Sequence, residues 1–297
     1  MSGEQYSVSM PENTTELFNQ YRVLLFSIAY RMLGSATDAE DIVQEAFLRW
    51  LQADEEEVQS PKAYLSTVVV RLCIDQLRSA RVQRELYVGP WLPEPIPTGQ
   101  RQELVETTVL AESLSFAFLV MLESLGPLER AVFLLREVFD YDYSEIAAIV
   151  GKSEANCRQV LHRAHQHLGQ RRPRFDVSHE QQERITSQFL RASTDGDMQG
   201  LLNLLTDDIV LVGDGGGKAQ AGLKPIHGAD KVVRGFLGTL RKMPPTHVRI
   251  EEINGQLAIV GYLKDRPYGV AIFEIDGERI HRIYTVVNPD KLHWLSG

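Results

Sequence analysis

Apolar residues recur at helical spacing through the first half of the chain, and short strand-like runs joined by turn signals fill its last third. Leu17, Val23, Leu24, Ile28, Met32 and Leu33 mark a predicted helix over 16–33, and Gly34 suits the left-handed residue just past its end. The next stretch sets Ala39, Ile42, Val43, Ala46, Phe47, Trp50 and Leu51 on one stripe. Thr37 with Glu40 reads as the capping box that starts this helix. Asp38, Asp41, Gln44, Glu45 and Leu48 fall on its other side. Ser60-Pro61 restarts the chain, with Pro61 suited to a first helical turn. From Lys62 on, Tyr64, Leu65, Val68, Val69, Leu72, Cys73 and Leu77 mark a third helix. Val68-Val69-Val70 alone suggests a strand, but the stripe runs several turns past it.

Residues 85–108 change character. Tyr87 to Pro97 holds too many prolines for a helix or a central strand and predicts an extended linker, in which Trp91 and Leu92 are expected to dock. Helical patterning returns over 109–125, and Gly126-Pro127 starts another helix with Leu128, Ala131, Val132, Leu134, Leu135 and Val138. Asp140-Tyr141-Asp142 is a turn. Residues 143–168 follow a helix-turn-helix pattern: Ala147 allows close helix approach, Gly151 allows the turn and Ser153 caps the second helix. There Cys157, Leu161 and Ala164 point inward, and Asn156, Arg158, Gln159, His162 and Arg163 outward. After residue 178 the pattern predicts helices over 181–192, 198–205 and 230–240. Strands are predicted over 209–212, 248–253, 257–263, 268–275 and 280–287, with Asn254-Gly255 and Asp276-Gly277 as hairpin turns. Helices followed by an antiparallel meander indicate an α+β unit.

A chain of 297 residues allows two or three domains. No apolar run reaches membrane-spanning length and no signal region opens the chain, so a soluble cytoplasmic protein with no membrane partner is expected. Cys73 and Cys157 lie inside apolar helical patterns and read as buried free thiols; no metal spacing occurs, and no cofactor is expected. The net charge of −9 argues against a protein that coats nucleic acid unaided. The signs are segregated, however. Glu40, Asp41, Glu45 and Asp54 to Glu57 are acidic. Arg71, Arg78, Arg81 and Arg84 face the single acid Asp75. Between Glu145 and Arg174, Lys152, Arg158, Arg163, Arg171, Arg172 and Arg174 face only Glu145 and Glu154.

The string from Asp38-Ala39-Glu40-Asp41 through Gln44-Glu45, Phe47 and Trp50 resembles the region-2.2 signature of bacterial sigma factors of the extracytoplasmic-function (ECF) group. The resemblance implies that Asp38, Asp41, Gln44, Glu45 and Leu48 dock on the clamp helices of core RNA polymerase. It implies that Lys62, Tyr64, Arg71, Arg78 and Arg81 open and read the minus-ten promoter element, with Tyr64 placed for stacking and the arginines for phosphates. The helix-turn-helix resembles sigma region 4, which meets the polymerase flap and reads the minus-thirty-five element through residues such as Asn156, Arg158, Gln159, His162 and Arg163. Most members carry Asn in place of Arg71, so their base preference does not carry over. Many carry Arg in place of Val160, so one DNA contact is expected to be missing. The linker phrase around Trp91, Leu92 and Pro93 is similar to that of one subgroup, which carries a C-terminal SnoaL-like domain. So are Asp214-Gly215-Gly216-Gly217-Lys218 and Asn288-Pro289-Asp290-Lys291-Leu292.

The expected fold is therefore two all-α sigma domains followed by an α+β SnoaL-like cone: region 2 over 11–84, a linker over 85–108, region 4 over 109–174 and the cone over 178–297. The three subgroup motifs are expected to hold these parts together and control the sigma factor in cis. A free monomer, no obligatory separate anti-sigma protein, core polymerase and promoter DNA complete the picture. Gly215 to Gly217 lack the spacing of a nucleotide-binding loop, which favours an approach to a neighbouring domain. Asp214, His227, Asp265, His281 and Tyr284 share no motif that fixes a general base, so an enzyme is not expected. The competing reading is a one-component regulator whose C-terminal domain senses a small molecule. It gives no use to the acidic face of the second helix.

Overall fold

The structure, a computed structural model, describes residues 12–53, 58–99, 108–169, 177–242 and 246–296. The acidic run 54–57, the residues before Pro11, and Arg171, Arg172 and Arg174 lie outside them, as do the side chains of Arg81 and Arg84.

Three helices open the fold: α1 (Glu12–Leu33), α2 (Ala36–Gln52) and α3 (Pro61–Glu85). The stripe on α2 is buried as its spacing requires, with Trp50 enclosed and donating from its indole to the Thr14 carbonyl at 3.1 Å. The expected capping box is not formed. Ser35 is the N-cap and accepts from the Asp38 N–H at 3.1 Å, because the chain enters the helix one residue after the left-handed Gly34. Thr37 is already inside the helix, and Glu40 instead pairs with Arg22 of α1 at 3.0 Å. The three valines of α3 are helical.

Five further helices follow: α4 (Thr108–Leu114), α5 (Phe116–Leu122), α6 (Pro127–Glu137), α7 (Tyr143–Val150) and α8 (Glu154–Leu168). The single helix expected over 109–125 breaks at Ser115, whose hydroxyl caps α5 by accepting from the Phe118 N–H. Helix α7 ends on the left-handed Gly151, and Ser153 caps α8, which is the anticipated helix-turn-helix. Both helical units share one continuous core, running from Leu25, Met32 and Val69 to Val132, Ile146 and Leu161.

The remainder is α+β. Helices α9 (His179–Asp195) and α10 (Met198–Leu204) precede β1 (Leu205–Asp214), β2 (Ile226–His227) and α11 (Ala229–Lys242). The meander β3 (His247–Ile253), β4 (Gln256–Leu263), β5 (Arg266–Asp276) and β6 (Arg279–Val286) completes a sheet ordered β2-β1-β6-β5-β4-β3. Strand β1 runs parallel to β6, and its other neighbour is antiparallel. Helices cover one face, where Phe189, Leu237, Phe273 and Ile283 pack. The other face buries Val260, Ile272 and Tyr284 against Leu92 of the linker, Phe116 of α5 and Leu292 and Leu295 of the C-terminal turns. The sheet therefore completes its second core with side chains borrowed from the helical half.

Candidate functional site

On α2, Asp41, Gln44 and Leu48 are exposed, while Asp38 and Glu45 are half-buried. Glu45 pairs with Arg49 at 2.9 Å. Leu48 keeps 48% of its surface, so this face presents carboxylates around an apolar residue with no core of its own to fill.

The basic helix α3 is not free. Lys62 lies over the Tyr141 ring at 4.9 Å, and Ser66 shares a 2.8 Å hydrogen bond with the Tyr141 hydroxyl. Arg71 donates to the carbonyls of Ile149 (3.0 Å) and Ala148 (3.2 Å), the unsatisfied C-terminal end of α7. A cation there also meets the negative end of the helix dipole. Tyr64 is half-buried and packs against Trp50 at 5.8 Å rather than standing free for a base. Arg78 is exposed and pairs with Asp75. Two more arginines lock the same helical units. Arg31 of α1 donates to Ser113 and the Leu110 carbonyl, and Arg130 of α6 donates to the Met32 carbonyl at the end of α1. Complete burial pulls the Arg31 guanidinium down to about 9, partly offset by Tyr30, which leaves it protonated at neutral pH.

Helix α8 contrasts with α3. Asn156, Arg158, Gln159, His162 and Arg163 are all exposed on one side. Val160 is 1% exposed and belongs to the core, so at that position the backbone points inward.

The linker is the centre of the arrangement. Asp214 is fully buried; its carboxylate accepts from the Tyr87 hydroxyl (2.6 Å), the Leu92 N–H (2.8 Å) and Lys291 Nζ (2.7 Å). Lys291, also buried, reaches the Leu92 carbonyl and sits 4.0 Å over the Trp91 ring. Asn288 donates to the Tyr87 hydroxyl, and that phenol is pushed up by burial and by its bond to Asp214. A Cβ on Gly216 would collide with Asn288 and Tyr87, and Gly217 meets Val88, so these glycines admit the linker. Gly215 approaches the backbone of Ala219. Lys218 pairs with Asp290 at the surface. Pro289 starts a short 3-10 turn and Leu292 follows it into the core, while Pro93 is buried next to Gly34. Trp91 seats on Gly34, where a Cβ would come within 2.8 Å of its ring.

Two polar residues that sequence reasoning left out tie the linker to the rest. Glu94 caps the start of α2 from outside. Its carboxylate accepts from the Ala36 N–H (2.8 Å), the Thr37 N–H (3.0 Å) and the Ser35 hydroxyl (2.9 Å), at a positive helix end. Asn254, in the β3–β4 turn, is 0% exposed. It accepts from the Ile96 N–H and donates to the Tyr30 hydroxyl (2.7 Å) and the Leu114 carbonyl (3.1 Å). The only local signal was an acid among prolines for Glu94 and an Asn-Gly turn for Asn254. The C-terminal turn adds His293, 3.0 Å from the Thr37 hydroxyl, and Trp294, which packs on Phe26. The acid–base candidates are dispersed. His227 lies exposed on β2 and Asp265 in the β4–β5 turn; His281 lies 3.6 Å from Glu274, and Tyr284 donates to Glu274.

Comparison with known proteins matches two family models, Sigma-70 region 2 over residues 17–82 and Sigma-70 region 4 over residues 115–168. The ECF RNA polymerase sigma factor SigJ of Mycobacterium tuberculosis is 36% identical over 290 residues, covering 92% of this chain and 91% of the relative. The probable ECF sigma factor SigI of the same species is 30% identical, covering 96% and 97%. The crystal structure of M. tuberculosis SigJ superposes with a TM-score of 0.76 at 33% identity, over 93% of this chain and 97% of that one. Sigma factors bind core RNA polymerase and promoter DNA. The two helical units, the helix-turn-helix and the near-complete match to these relatives make this chain a member of the ECF RNA polymerase sigma factors.

Proposed function

We propose that this sigma factor closes upon itself through its C-terminal domain and opens to engage polymerase. Core polymerase docks on Asp38, Asp41, Gln44, Glu45 and Leu48. The minus-ten element is opened by the α3 face with Lys62, Arg71 and Arg78, and the minus-thirty-five element is read by α8. The free protein is a cytoplasmic monomer whose third domain takes the place of an obligatory separate anti-sigma protein. The observation that carries this reading is the linker stretch 91–97. It is bonded to Asp214 and Lys291 at one end, to the start of α2 through Glu94, and to Asn254 at the other.

A tethered domain acts at an effective concentration of order millimolar, so modest contacts suffice to hold such a state. Opening gives up the hydrogen bonds that Tyr87 and Leu92 of the linker make to the buried Asp214 and Lys291, and a buried charged group left without such a partner is strongly destabilising. Replacing Asp214→Asn together with Lys291→Met tests the control. The radius of gyration of the free protein should rise in small-angle scattering, and run-off transcription with core polymerase should change. If both stay at wild-type values, the C-terminal domain is no intramolecular regulator, and a small-molecule sensor becomes the better account of it. Docking is tested separately: Asp41→Lys with Glu45→Lys should abolish core binding at unchanged helical content.

A further inference from the structure

Tyr143, the first residue of α7, has the chemistry of a residue that aims another. Two guanidiniums lie over its ring, that of Arg136 of α6 at 5.3 Å and that of Arg158 of α8 at 4.6 Å. Arg158 is also held by Glu154 one turn earlier at 2.8 Å. Its side chain nonetheless keeps 54% of its surface, so it is constrained without being buried. Arg136 in turn donates to the Tyr141 carbonyl at 2.9 Å, which fixes the turn from which Tyr143 starts. An exposed arginine ordinarily gives up rotamer entropy when it is immobilised. Stacking on an aromatic face removes part of that freedom before DNA arrives.

We propose that Tyr143 is a positioning residue for promoter recognition: its ring pre-orients Arg158 toward the groove without touching DNA itself. This rests on the assignment of Arg158 as a DNA contact. In the bound state the guanidinium leaves Glu154 for DNA while its face remains on the ring. The ring's negative face is the operative feature, and the phenol hydroxyl is dispensable.

The test uses the full chain with core polymerase and the promoter fragment that this holoenzyme selects in run-off transcription, at fixed salt. Tyr143→Leu should weaken promoter binding about threefold to tenfold, the range of a partly desolvated cation–π contact. Tyr143→Phe should restore it. Tyr143→3,4,5-trifluorophenylalanine keeps the shape of the ring but removes its negative face. It should bind like the leucine variant while melting like wild type, so a folding defect is separated from lost positioning. In an Arg158→Ala background all three replacements should have no further effect. Additive losses in that background, or wild-type binding by the trifluorinated variant, would overturn the positioning role. If Arg158→Ala itself binds as wild type, the DNA-contact assignment falls and the proposal with it.

Discussion

Helices α3 and α8 carry the basic faces of this sigma factor, yet the structure treats them differently. The outward side chains of α8 stand in solvent, whereas Lys62, Ser66 and Arg71 of α3 are engaged by Tyr141 and the C-terminal end of α7. Helix α3 is thus held by the same helical unit that carries α8. Three helix ends are completed across unit boundaries: α7 by Arg71, α1 by Arg130 and α2 by Glu94. Such ends need partners in any state. Under the proposed opening, water or polymerase would supply them, which suits these contacts to a reversible closure.

Loss of Glu94 should act most strongly on the closed state. Glu94→Ala leaves the first N–H groups of α2 without their acceptor, at a cost of about 3 kcal/mol, or roughly a hundredfold in the closed population. Amide exchange at Ala36 and Thr37 should accelerate by about that factor, with the exposed face of α8 unaffected. Tyr141→Phe removes only a hydroxyl but strands Ser66, which is 0% exposed, for about 1–2 kcal/mol. The melting temperature should fall accordingly, while Lys62, already exposed over a ring that Phe retains, should acetylate as in the wild type. Arg71→Lys keeps the charge and loses the fork that spans two carbonyls, a change of about 1 kcal/mol in thermal stability. Arg163→Ala on α8 should leave closure unchanged. It should lower the salt slope of promoter binding by about 0.9 if that residue meets one phosphate.

A pH dependence follows from the tyrosines at the junction. Burial raises the phenols of Tyr30 and Tyr87, so the folded state holds protons that the unfolded chain releases near pH 10. Their contribution is complete below about pH 10 and declines above it. The radius of gyration should therefore stay constant from neutral pH upward and increase only in that alkaline range.

Periodicity made the local architecture legible. The stripe of α2, the turn at Gly151 and the Asn254-Gly255 and Asp276-Gly277 hairpins each announce themselves within a few residues. The Lys264-Asp265 turn did not, because both residues adopt positive φ (49° and 63°) without a glycine. Strand β1 starts four residues before the expected 209–212 because it follows α10 without a loop. The linker motifs were visible as composition, and their docking followed. The cap that Glu94 places on α2 and the cover that Tyr141 places on α3 were not visible. Each joins residues more than fifty positions apart, and no local pattern specifies such a pair. Asn254 illustrates the same limit, since a turn residue by sequence becomes a buried junction only when three elements converge on it.

Under the proposed opening, α3 is tied to α7 through Arg71 in the free protein and released from it on polymerase. Spin labels at Ser79 on α3 and Ser144 on α7, both exposed, allow the separation to be measured by double electron–electron resonance without disturbing the contact. The free protein should give one short, narrow distance distribution that lengthens on saturation with core polymerase and is already broadened in Glu94→Ala. An unchanged distribution in a verified complex with core would contradict the account.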